Sequence, residues 1–592
     1  MRTRKAKDRA RLMQAALGQI PCDLTIGNVQ FFNVITGEIY PASVDILDGF
    51  VVLVREEGQE AVLPSKAYYD GQGRYLIPGY IDTHMHIEST MMIPENLARA
   101  ILPWGTTTVC TDPHEIGNVM GLDGVRFMLE NAKKSKLRQY VLAPSCVPSL
   151  PGMENAGAEF HAEEVGELLD MDDVVGIAEI MDYVGVMHDS ERMHTIIDEG
   201  LRRGMFLQGH APYCFGRELA AYRIGGPVSD HESVNADEVR AKLRAGMHIN
   251  LRASSLIDNL SFLVDGCKDQ PWRDFVSVCT DDVHAKDLLT VGHINNVVRK
   301  AVASGLGREV VKMATLNAAR EYGFDDLGAI APGYIADMQL VDALDGSRPK
   351  AVFTEGVLVA EDGKYLGGDC KTADYDLPNT VNMPQIAGPE SFVLRVPEGY
   401  TGDTIRVNVM VSEDGNRILR HVEPVELPVR DGAVDISGDP TLVFVCCANR
   451  YGRGGKTIAV YRDFGLERGA LASTVSHDSH NFTVSYHDPK DAFRAAEILR
   501  ACGGGVCVID GAEETHIALP AAGLMSQKPC AEVADEIAAV QAALDAISGG
   551  RLTLLATAVM ALPVLPSVVI TDMGLVNGTN QTFVPVFADT EA

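Results

Sequence analysis

The feature that most constrains the fold is a regular alternation of short apolar β-type runs with helix-like runs between residues 79 and 331. This order is typical of a parallel sheet with helical crossovers. Successive runs begin 20 to 36 residues apart, the size of one strand, one helix and two loops. The runs are YIDTHMH (80–86), TTTVCT (106–111), RQYVLAPS (138–145), VVGIAEIM (174–181), MFLQGH (205–210), GPVSDH (226–231), GMHINLR (246–252) and FVSVCTD (275–281). Eight such units in about 250 residues predict an α/β chain with a (β/α)8 TIM barrel.

The segments on either side of the barrel carry β-type patterns of their own. Short β runs occupy residues 22–77, and KAVFTEGVLVAEDGKYL (350–366) follows the barrel. We therefore predict a small β-sandwich-like domain assembled from residues 1–78 and 332–385, beside a barrel domain of residues 79–331. Residues 386–592 mix strand-like runs with one helix-like run, CAEVADEIAAVQAALDAI, and predict a C-terminal α/β (α+β) domain.

Charge and cysteine usage limit the partners and the compartment. With 51 Lys and Arg against 81 Asp and Glu, the formal net charge is −30. A chain of this charge repels nucleic acid, so we expect no nucleic-acid partner. The 12 cysteines contain no C-x-x-C pair. This spacing argues against a disulfide framework or a thiolate zinc site and favours a cytoplasmic protein.

Two segments resemble targeting or membrane signals. The N-terminus, MRTRKAKDRARLMQ, is basic, but no apolar run follows it, so we interpret it as a solvated helix. Residues 552–571 carry no charge over a length that could span a membrane. Because Pro563 and Pro566 interrupt this segment, a buried helix, a turn and a strand fit it better, and we expect no membrane interaction.

The ends of the barrel runs carry side chains that bind metals. His84 and His86 are two residues apart in the first run, so both imidazoles point to the same face at the C-terminal mouth of the barrel. An H-x-H pair alone is a weak signal, but four other runs also end in nitrogen or oxygen donors. These are Glu179, His210, His231 and Asp281. Six donors at one rim predict a metal site.

The donor set favours two divalent ions over one. Two pairs of neutral imidazoles and a carboxylate able to bridge them match a pair of ions that share a water molecule. Such a pair lowers the pKa of the water from about 15.7 towards neutrality, which generates a nucleophile for hydrolysis. Without thiolate ligands, Fe(II), Mn(II) and Zn(II) all fit the predicted site.

Several motifs resemble a known family. PGYIDTHMHIESTM, TDPHEIGNV, APSCVPS, GIAEIMDYVGV, SDHE, CTDD and LGAIAPGYIAD are similar to the amidohydrolase superfamily and, within it, to the bacterial adenine deaminases. In the C-terminal block, GALASTVSHDSHN, LPAAGLMS and ITDMGL resemble the C-terminal domain of those deaminases, which most amidohydrolases lack. The superfamily metal motif is general, whereas its combination with HDSHN is specific.

The resemblance implies a reaction and roles for the predicted ligands. The reaction is hydrolysis of the small molecule adenine to hypoxanthine and ammonia by a metal-bridged hydroxide that attacks C6, in a homo-oligomer with iron or manganese as the native metal. His84 and His86 would bind the more buried ion, His210 and His231 the other, and Glu179 would bridge them. Asp281 would bind metal and hold the proton of the hydroxide.

The deamination also needs an acid, because protonation of ring N1 makes C6 electrophilic. Glu232 and Glu88 both lie next to metal-ligand positions. We favour Glu232, a loop residue beyond a ligand that can reach over the substrate ring. Glu88 is equally well interpreted as a partner that orients a histidine. Asp281 would carry the hydroxide proton to the leaving amine.

Four further residues are predicted to contact the substrate. His114 follows the second run, with Glu115 beside it, and Ser145 follows the third run at the same rim, although support of the ligands fits these residues at least as well. His477 and His480 belong to the HDSHN segment. Adjacent side chains diverge, so this segment cannot form a Ser-His-Asp triad. It either reaches over the barrel mouth to complete the adenine pocket or forms a separate polar turn.

Two other functions remain open from the sequence. The first is another amidohydrolase, acting on a related aminopurine or a cyclic amide. Such enzymes often use a carboxylated lysine as the bridge, whereas the bridging run here offers Glu179 and no lysine. The second is a non-catalytic metal-binding barrel protein, although retention of all six ligands and a candidate acid argues against it.

Overall fold

The computed structural model describes residues 6–589 apart from 57, 59–61, 256–257, 369–371 and 414–415. The chain begins with a helix, Ala6–Ala16, as the basic N-terminal segment predicted. The first five residues of that segment lie outside the described part.

Each of the eight predicted β runs contains a strand. Their bounds are Tyr80–Met85, Thr106–Thr111, Arg138–Ala143, Val174–Ile180, Phe206–Gly209, Ser229–Asp230, His248–Arg252 and Val276–Cys279. We call these the first to eighth barrel strands. The first five form one parallel sheet in sequence order, and the last three form another. Their side chains are mostly buried on both faces, as expected for parallel strands covered by helices.

A few backbone hydrogen bonds connect the two parallel sheets at their two junctions. Between the fifth and sixth strands, the amide of Val228 donates to the carbonyl of Leu207 at 3.0 Å. Between the eighth and first strands, the amide of Asp281 donates to the carbonyl of His84 at 2.9 Å, and the amide of His86 donates to the carbonyl of Asp281 at 3.1 Å. The ends of the first and eighth strands therefore meet, which brings three predicted ligands together.

Helices follow most of the barrel strands. They are Pro94–Ile101, His114–Ala132, Ala162–Leu169, Tyr183–Met187, Glu191–Arg203, Gly216–Ile224, Ala236–Arg244, Leu260–Asp265, Ala285–Thr290, Ile294–Ala303, Val310–Lys312 and Ala318–Glu321, with a π-helical turn at Met313–Asn317 and 3-10 turns at Glu88–Thr90 and Leu102–Trp104. Helix Ala236–Arg244 starts where the Asn235 side chain accepts from two backbone amides, an N-cap that satisfies donors otherwise left free.

Both flanks of the barrel contribute to one nine-stranded mixed sheet. Its strands are Cys22–Phe32, Ile39–Leu47, Phe50–Glu56, Ser65–Asp70 and Tyr75–Pro78 from the N-terminal flank, and Met338–Val341, Ala351–Thr354, Val357–Glu361 and Lys364–Tyr365 from the C-terminal flank. The two groups join where Tyr75–Pro78 pairs antiparallel with Met338–Val341. The barrel segment is thus inserted between two halves of this sheet.

The C-terminal block is built around a second nine-stranded sheet and a three-stranded sheet. Its strands are Thr404–Glu413, Asn416–Arg430, Ala433–Val434, Leu442–Ala448, Lys456–Arg462, Ala470–Ser473, Phe482–Tyr486, Gly505–Asp510, Glu513–Ala518, Val568–Ile570, Leu575–Asn577 and Thr582–Val584. The helices are Pro489–Cys502 and Cys530–Ser548, with 3-10 segments Pro389–Phe392 and Leu554–Ala561.

The uncharged segment 552–571 contains the 3-10 helix Leu554–Ala561 and the strand Val568–Ile570, in line with the predicted helix, turn and strand. Among the described residues, none of the helices has both the length and the apolar composition needed to cross a membrane.

The C-terminal block packs on the loop that follows the first barrel strand. The amide of Ser526 donates to the carbonyl of Met91 at 2.8 Å, and the Asn96 side chain donates to the carbonyls of Gln527 and Lys528. Buried apolar side chains of both parts form one continuous cluster. The C-terminal block is therefore positioned beside the barrel mouth.

Candidate metal centre and active site

Three predicted ligands lie side by side where the first and eighth barrel strands meet. The Nε2 atoms of His84 and His86 are 3.1 Å apart. Asp281 Oδ1 lies 3.3 Å from each of these nitrogens. The two histidines point to the same side because they are two residues apart in a strand, as the sequence predicted.

Glu179, at the end of the fourth strand, lies between two groups of imidazoles. Its Oε1 is 3.3 Å from His86 Nε2. Its Oε2 is 3.2 Å from His231 Nε2 and contacts His210 Nδ1. Each carboxylate oxygen thus faces different histidines, which is the geometry that a bridging ligand needs.

The spacing of these donor atoms fits divalent metal ions. Donors that bind one ion at about 2.0–2.1 Å with tetrahedral geometry are separated by roughly 3.3 Å. The distances between His84, His86 and Asp281 are 3.1–3.3 Å. His231 Nε2 faces Glu179 Oε2 at 3.2 Å, and His231 Nδ1 is buried without a hydrogen-bond partner among the described residues. A nitrogen and a carboxylate oxygen at this separation could share a cation.

The surroundings of the two carboxylates of the centre favour their charged forms. Burial opposes the charge on Glu179, but His210 and the other imidazoles hold its pKa well below the ordinary value. Burial likewise opposes the charge on Asp281, but hydrogen bonds from His84 and His86, together with the charge of Arg252, lower its pKa. Both groups are therefore ready to bind cations.

Neighbouring groups fix the orientation of the histidine rings. His84 Nδ1 lies 2.8 Å from Gln208 Oε1, and His86 Nδ1 lies 3.1 Å from the carbonyl oxygen of Asp112. These contacts leave the Nε2 atom of each ring to face the centre. Orientation of metal-binding histidines through the second ring nitrogen is common in metalloproteins.

A cavity opens above this centre. Its polar wall includes His86, His114, Glu179, His210, Glu232, Arg252, Asp281, Asp282, His477 and Asp478. Its apolar wall combines Met181, Pro212 and Val234 of the barrel with Leu419, Val559, Leu562, Leu565 and Pro566 of the C-terminal block. A cavity with largely apolar walls and a cluster of metal-binding side chains at its base is typical of a small-molecule site.

The two candidate acids occupy different positions. Glu232 lines the cavity and contacts Arg252 Nη1. Glu88 is buried away from the cavity wall, and its Oε1 accepts from the amide of Ile116 at 3.1 Å. Burial and the nearby Glu115 charge raise the pKa of Glu88 to about 8. Gln208 and Asp112 contact the rings of His84 and His86, and among the described residues Glu88 forms no hydrogen bond with a histidine ring.

The predicted substrate residues also divide into two groups. His114 and His477 line the cavity. Ser145 instead donates to the carbonyl of Glu179 at 2.7 Å, which anchors the backbone of that ligand. His480 accepts from the amide of Ser476 at 3.1 Å within its own loop. Ser145 and His480 are therefore not among the residues that line the cavity.

The HDSHN loop reaches the barrel mouth. His477 Nδ1 lies 3.0 Å from Glu115 Oε1, and Asp478 Oδ1 lies 3.4 Å from His114 Nε2. Burial opposes the charge on His477, but Glu115 raises the pKa of His477 to about 9. Of the two interpretations of this segment, the observed position corresponds to the loop over the mouth.

Sequence reasoning missed Arg252 and gave no role to Asp282, which stands in the CTDD motif. Arg252 ends the seventh strand, so the rule that identified the ligands from strand ends pointed to this position as well. Glu115 follows the second strand beside His114, and Asp478 belongs to the HDSHN segment, so the sequence had indicated the place of both. The sequence could not show that His477 would pair with Glu115.

The chain is similar to known proteins along most of its length. Residues 75–359 match the amidohydrolase family, and residues 417–582 match the adenine deaminase C-terminal domain. The chain is 37% identical to adenine deaminase 2 of Carboxydothermus hydrogenoformans, over 97% of this chain and 99% of that protein. It is 38% identical to the adenine deaminase of Methanothermobacter thermautotrophicus, over 93% and 97%.

A third relative, adenine deaminase 2 of Rhizobium meliloti, is 39% identical over 90% of this chain and 89% of its own length. The matches cover the barrel, the flanking sheet and the C-terminal block together. The chain therefore belongs to the adenine deaminase family of amidohydrolases.

Proposed function

We propose that this chain hydrolyses adenine to hypoxanthine and ammonia. The observation that carries the proposal is the convergence of six donors below a cavity whose roof comes from the C-terminal block. Relatives that match over nearly the whole chain are adenine deaminases. The amidohydrolase family uses divalent metal ions, and the buried donor groups of this chain fit that chemistry.

We assign the donors to two divalent ions. His84 and His86 would hold one ion, His210 and His231 the other, and Glu179 would lie between them. Asp281 would complete the set. When bound, such ions lower the pKa of water so that a hydroxide nucleophile is available at neutral pH. Mn(II) and Fe(II) are the ions we propose, and Zn(II) also suits this nitrogen and oxygen donor set.

The chain's own residues move the protons. Glu232 would donate a proton to ring N1, which makes C6 electrophilic. As the hydroxide oxygen bonds to C6, Asp281 would take the hydroxide proton and pass it to the exocyclic N6. The C6–N6 bond then breaks, N6 leaves as ammonia, and the oxygen remains on C6 as the carbonyl of hypoxanthine. The proton released when water became hydroxide would return to Glu232. We prefer Glu232 to Glu88 because Glu232 lines the cavity.

We propose that His114 and His477 contact the purine ring, because both line the cavity. Ser145 and His480 would act indirectly, Ser145 through the backbone of Glu179 and His480 through the fold of its own loop. The apolar side chains from the C-terminal block would cover the faces of the base and keep bulk water from the reacting atoms.

We propose that the two parallel sheets close into a (β/α)8 barrel of residues 79–331, with a flanking β domain of residues 1–78 and 332–385 and a C-terminal domain of residues 386–592.

We also propose that the protein is a cytoplasmic homo-oligomer that acts on a small molecule and binds neither nucleic acid nor membrane. The net charge of −30 supports the exclusion of nucleic acid.

The test is ammonia release from adenine by protein expressed with manganese and an iron chelator, together with metal analysis of the same sample. We expect turnover to hypoxanthine with metal bound. Hydantoins, dihydropyrimidines and blocked amino acids serve as comparison substrates. Hydrolysis of one of these without adenine turnover would support a different amidohydrolase activity. A metal-replete sample inactive on the whole panel would support a non-catalytic protein.

A further inference from the structure

The arginine that ends the seventh barrel strand lies between two acidic residues of the site. Only 1% of the Arg252 side chain is exposed. Its Nη1 donates to Asp281 Oδ2 at 2.8 Å and to Glu232 Oε1. One nitrogen of the guanidinium thus joins the two carboxylates to which the proposed function gives the proton transfers.

Because of the contact with Arg252, the two carboxylate oxygens of Asp281 have different partners. Oδ1 lies 3.3 Å from the Nε2 atoms of His84 and His86, whereas Oδ2 accepts from Arg252. Asp281 also adopts a left-handed backbone conformation, with φ of 62°, which is uncommon for a residue with a side chain. The arginine therefore holds this strained residue with one defined oxygen towards the histidines.

The same contact restricts Glu232. With Oε1 bound to Arg252, Oε2 has no hydrogen-bond partner among the described residues and is the oxygen able to carry a proton to a substrate. The Glu232 side chain is 18% exposed, in the wall of the cavity. A glutamate without this anchor would be free to rotate, and proton transfer depends on its distance and direction.

Arg252 does not resemble a residue kept for stability. Its Nε and Nη2 atoms are buried and have no acceptor among the described residues. Each buried donor without a partner costs about 1–3 kcal/mol of folding free energy. Positions that cost stability in this way are often functional.

We propose that Arg252 is a positioning residue that fixes Glu232 and Asp281 relative to each other for the two proton transfers. This inference rests on the proposed function, because it assumes those transfers. A lysine could reach one carboxylate, but its single ammonium group lacks the rigid planar fork of a guanidinium. Arg252 therefore orients the proton-transferring groups and contributes no proton itself.

The test uses Arg252→Met and Arg252→Lys in the manganese-loaded enzyme. We expect Arg252→Met to lower kcat by about 100-fold, as a misplacement of about 1 Å does. We expect metal content and the Kd of hypoxanthine, measured by calorimetric titration, to remain as in the parent. Arg252→Lys should retain part of kcat, and added guanidinium ion should raise kcat of Arg252→Met.

Arg138→Met is the matched control. Arg138 is likewise shared by two carboxylates, 3.4 Å from Asp337 and 3.1 Å from Glu355, with its side chain 15% exposed, but it begins the third strand and does not line the cavity. We expect its kcat to equal that of the parent. An equal loss of kcat in Arg138→Met and Arg252→Met would contradict a specific role for Arg252.

A double-mutant cycle with Glu232→Gln separates positioning from support of the fold. Because Arg252 acts through Glu232 as well as Asp281, the double variant should lose clearly less kcat than the product of the two single losses. Multiplied losses, a parental kcat in Arg252→Met, or loss of metal from that variant would each overturn the inference. A parent enzyme without adenine turnover would instead refute the proposed function, which is a distinct outcome.

Discussion

Replacement of His477 by alanine tests whether the C-terminal block takes part in the active site. His477 and Glu115 form an ion pair with side chains only 8% and 0% exposed. Loss of the imidazole leaves Glu115 buried and without its cationic partner. Breaking a buried pair in this way costs about 3–5 kcal/mol. A rise in the pKa of His477 from 6.5 to about 9 corresponds to about 3 kcal/mol in favour of the charged imidazole.

The sign of the pH dependence follows from this shift. Because the pKa of His477 is higher in the folded chain, the pair contributes fully below pH 6.5, and its contribution is lost as pH rises through about 9. We therefore expect His477→Ala to unfold at a lower temperature than the parent at pH 6.5. The difference between their unfolding temperatures should be smaller above pH 9.

The assay combines fluorimetric thermal unfolding with steady-state kinetics on adenine. His477→Ala should raise KM or lower kcat while metal content stays unchanged, because His477 lines the cavity but does not contact the six donors. His516→Ala is the control, since His516 is exposed in strand Glu513–Ala518. Parental kinetics in His477→Ala, or a destabilisation that is the same at both pH values, would refute the reasoning.

Three other substitutions probe the centre and its support. Glu179→Gln should reduce the metal bound per chain and abolish deamination, as measured by elemental analysis and ammonia release; full metal retention would refute the bridging role. Glu232→Gln should lower kcat by about 10²–10⁴-fold with metal retained, and Glu88→Gln should have a smaller effect. Lys242→Met should destabilise the chain by about 3–5 kcal/mol in urea unfolding, because it leaves Asp230, 2.7 Å from Lys242 Nζ, buried and unpaired. Unchanged stability would contradict that estimate.

The strands and the six donors could be predicted because their signals are local. Strand periodicity places His84 and His86 on one face, and parallel strands direct their ends to one rim. Glu179, His210 and Asp281 follow from the same rule. Their convergence needs no knowledge of which helix packs where, so a single sequence was sufficient.

Contacts between distant segments could not be predicted. Leu419 and Pro566 of the C-terminal block line the cavity. The sequence around these two residues does not indicate this position. The choice between Glu88 and Glu232 depends on which one faces the cavity, which is a property of the loops. Ser145 precedes a turn at the correct rim, yet its hydroxyl bonds the Glu179 backbone.

The role of Arg252 could not be predicted for a different reason. The strand-end rule pointed to its position, but a search for metal ligands passes over a cation. Its role becomes visible only when the partners of Glu232 and Asp281 are known. Acidic and basic side chains of one site are therefore best considered together.

An anomalous difference map from crystals of the manganese-loaded protein, collected at the manganese edge, would show directly whether two ions bind at Glu179. We expect two peaks, one beside each carboxylate oxygen of Glu179, with His84 and His86 at one peak and His210 and His231 at the other. A single peak, or peaks that do not contact Glu179, would contradict this expectation.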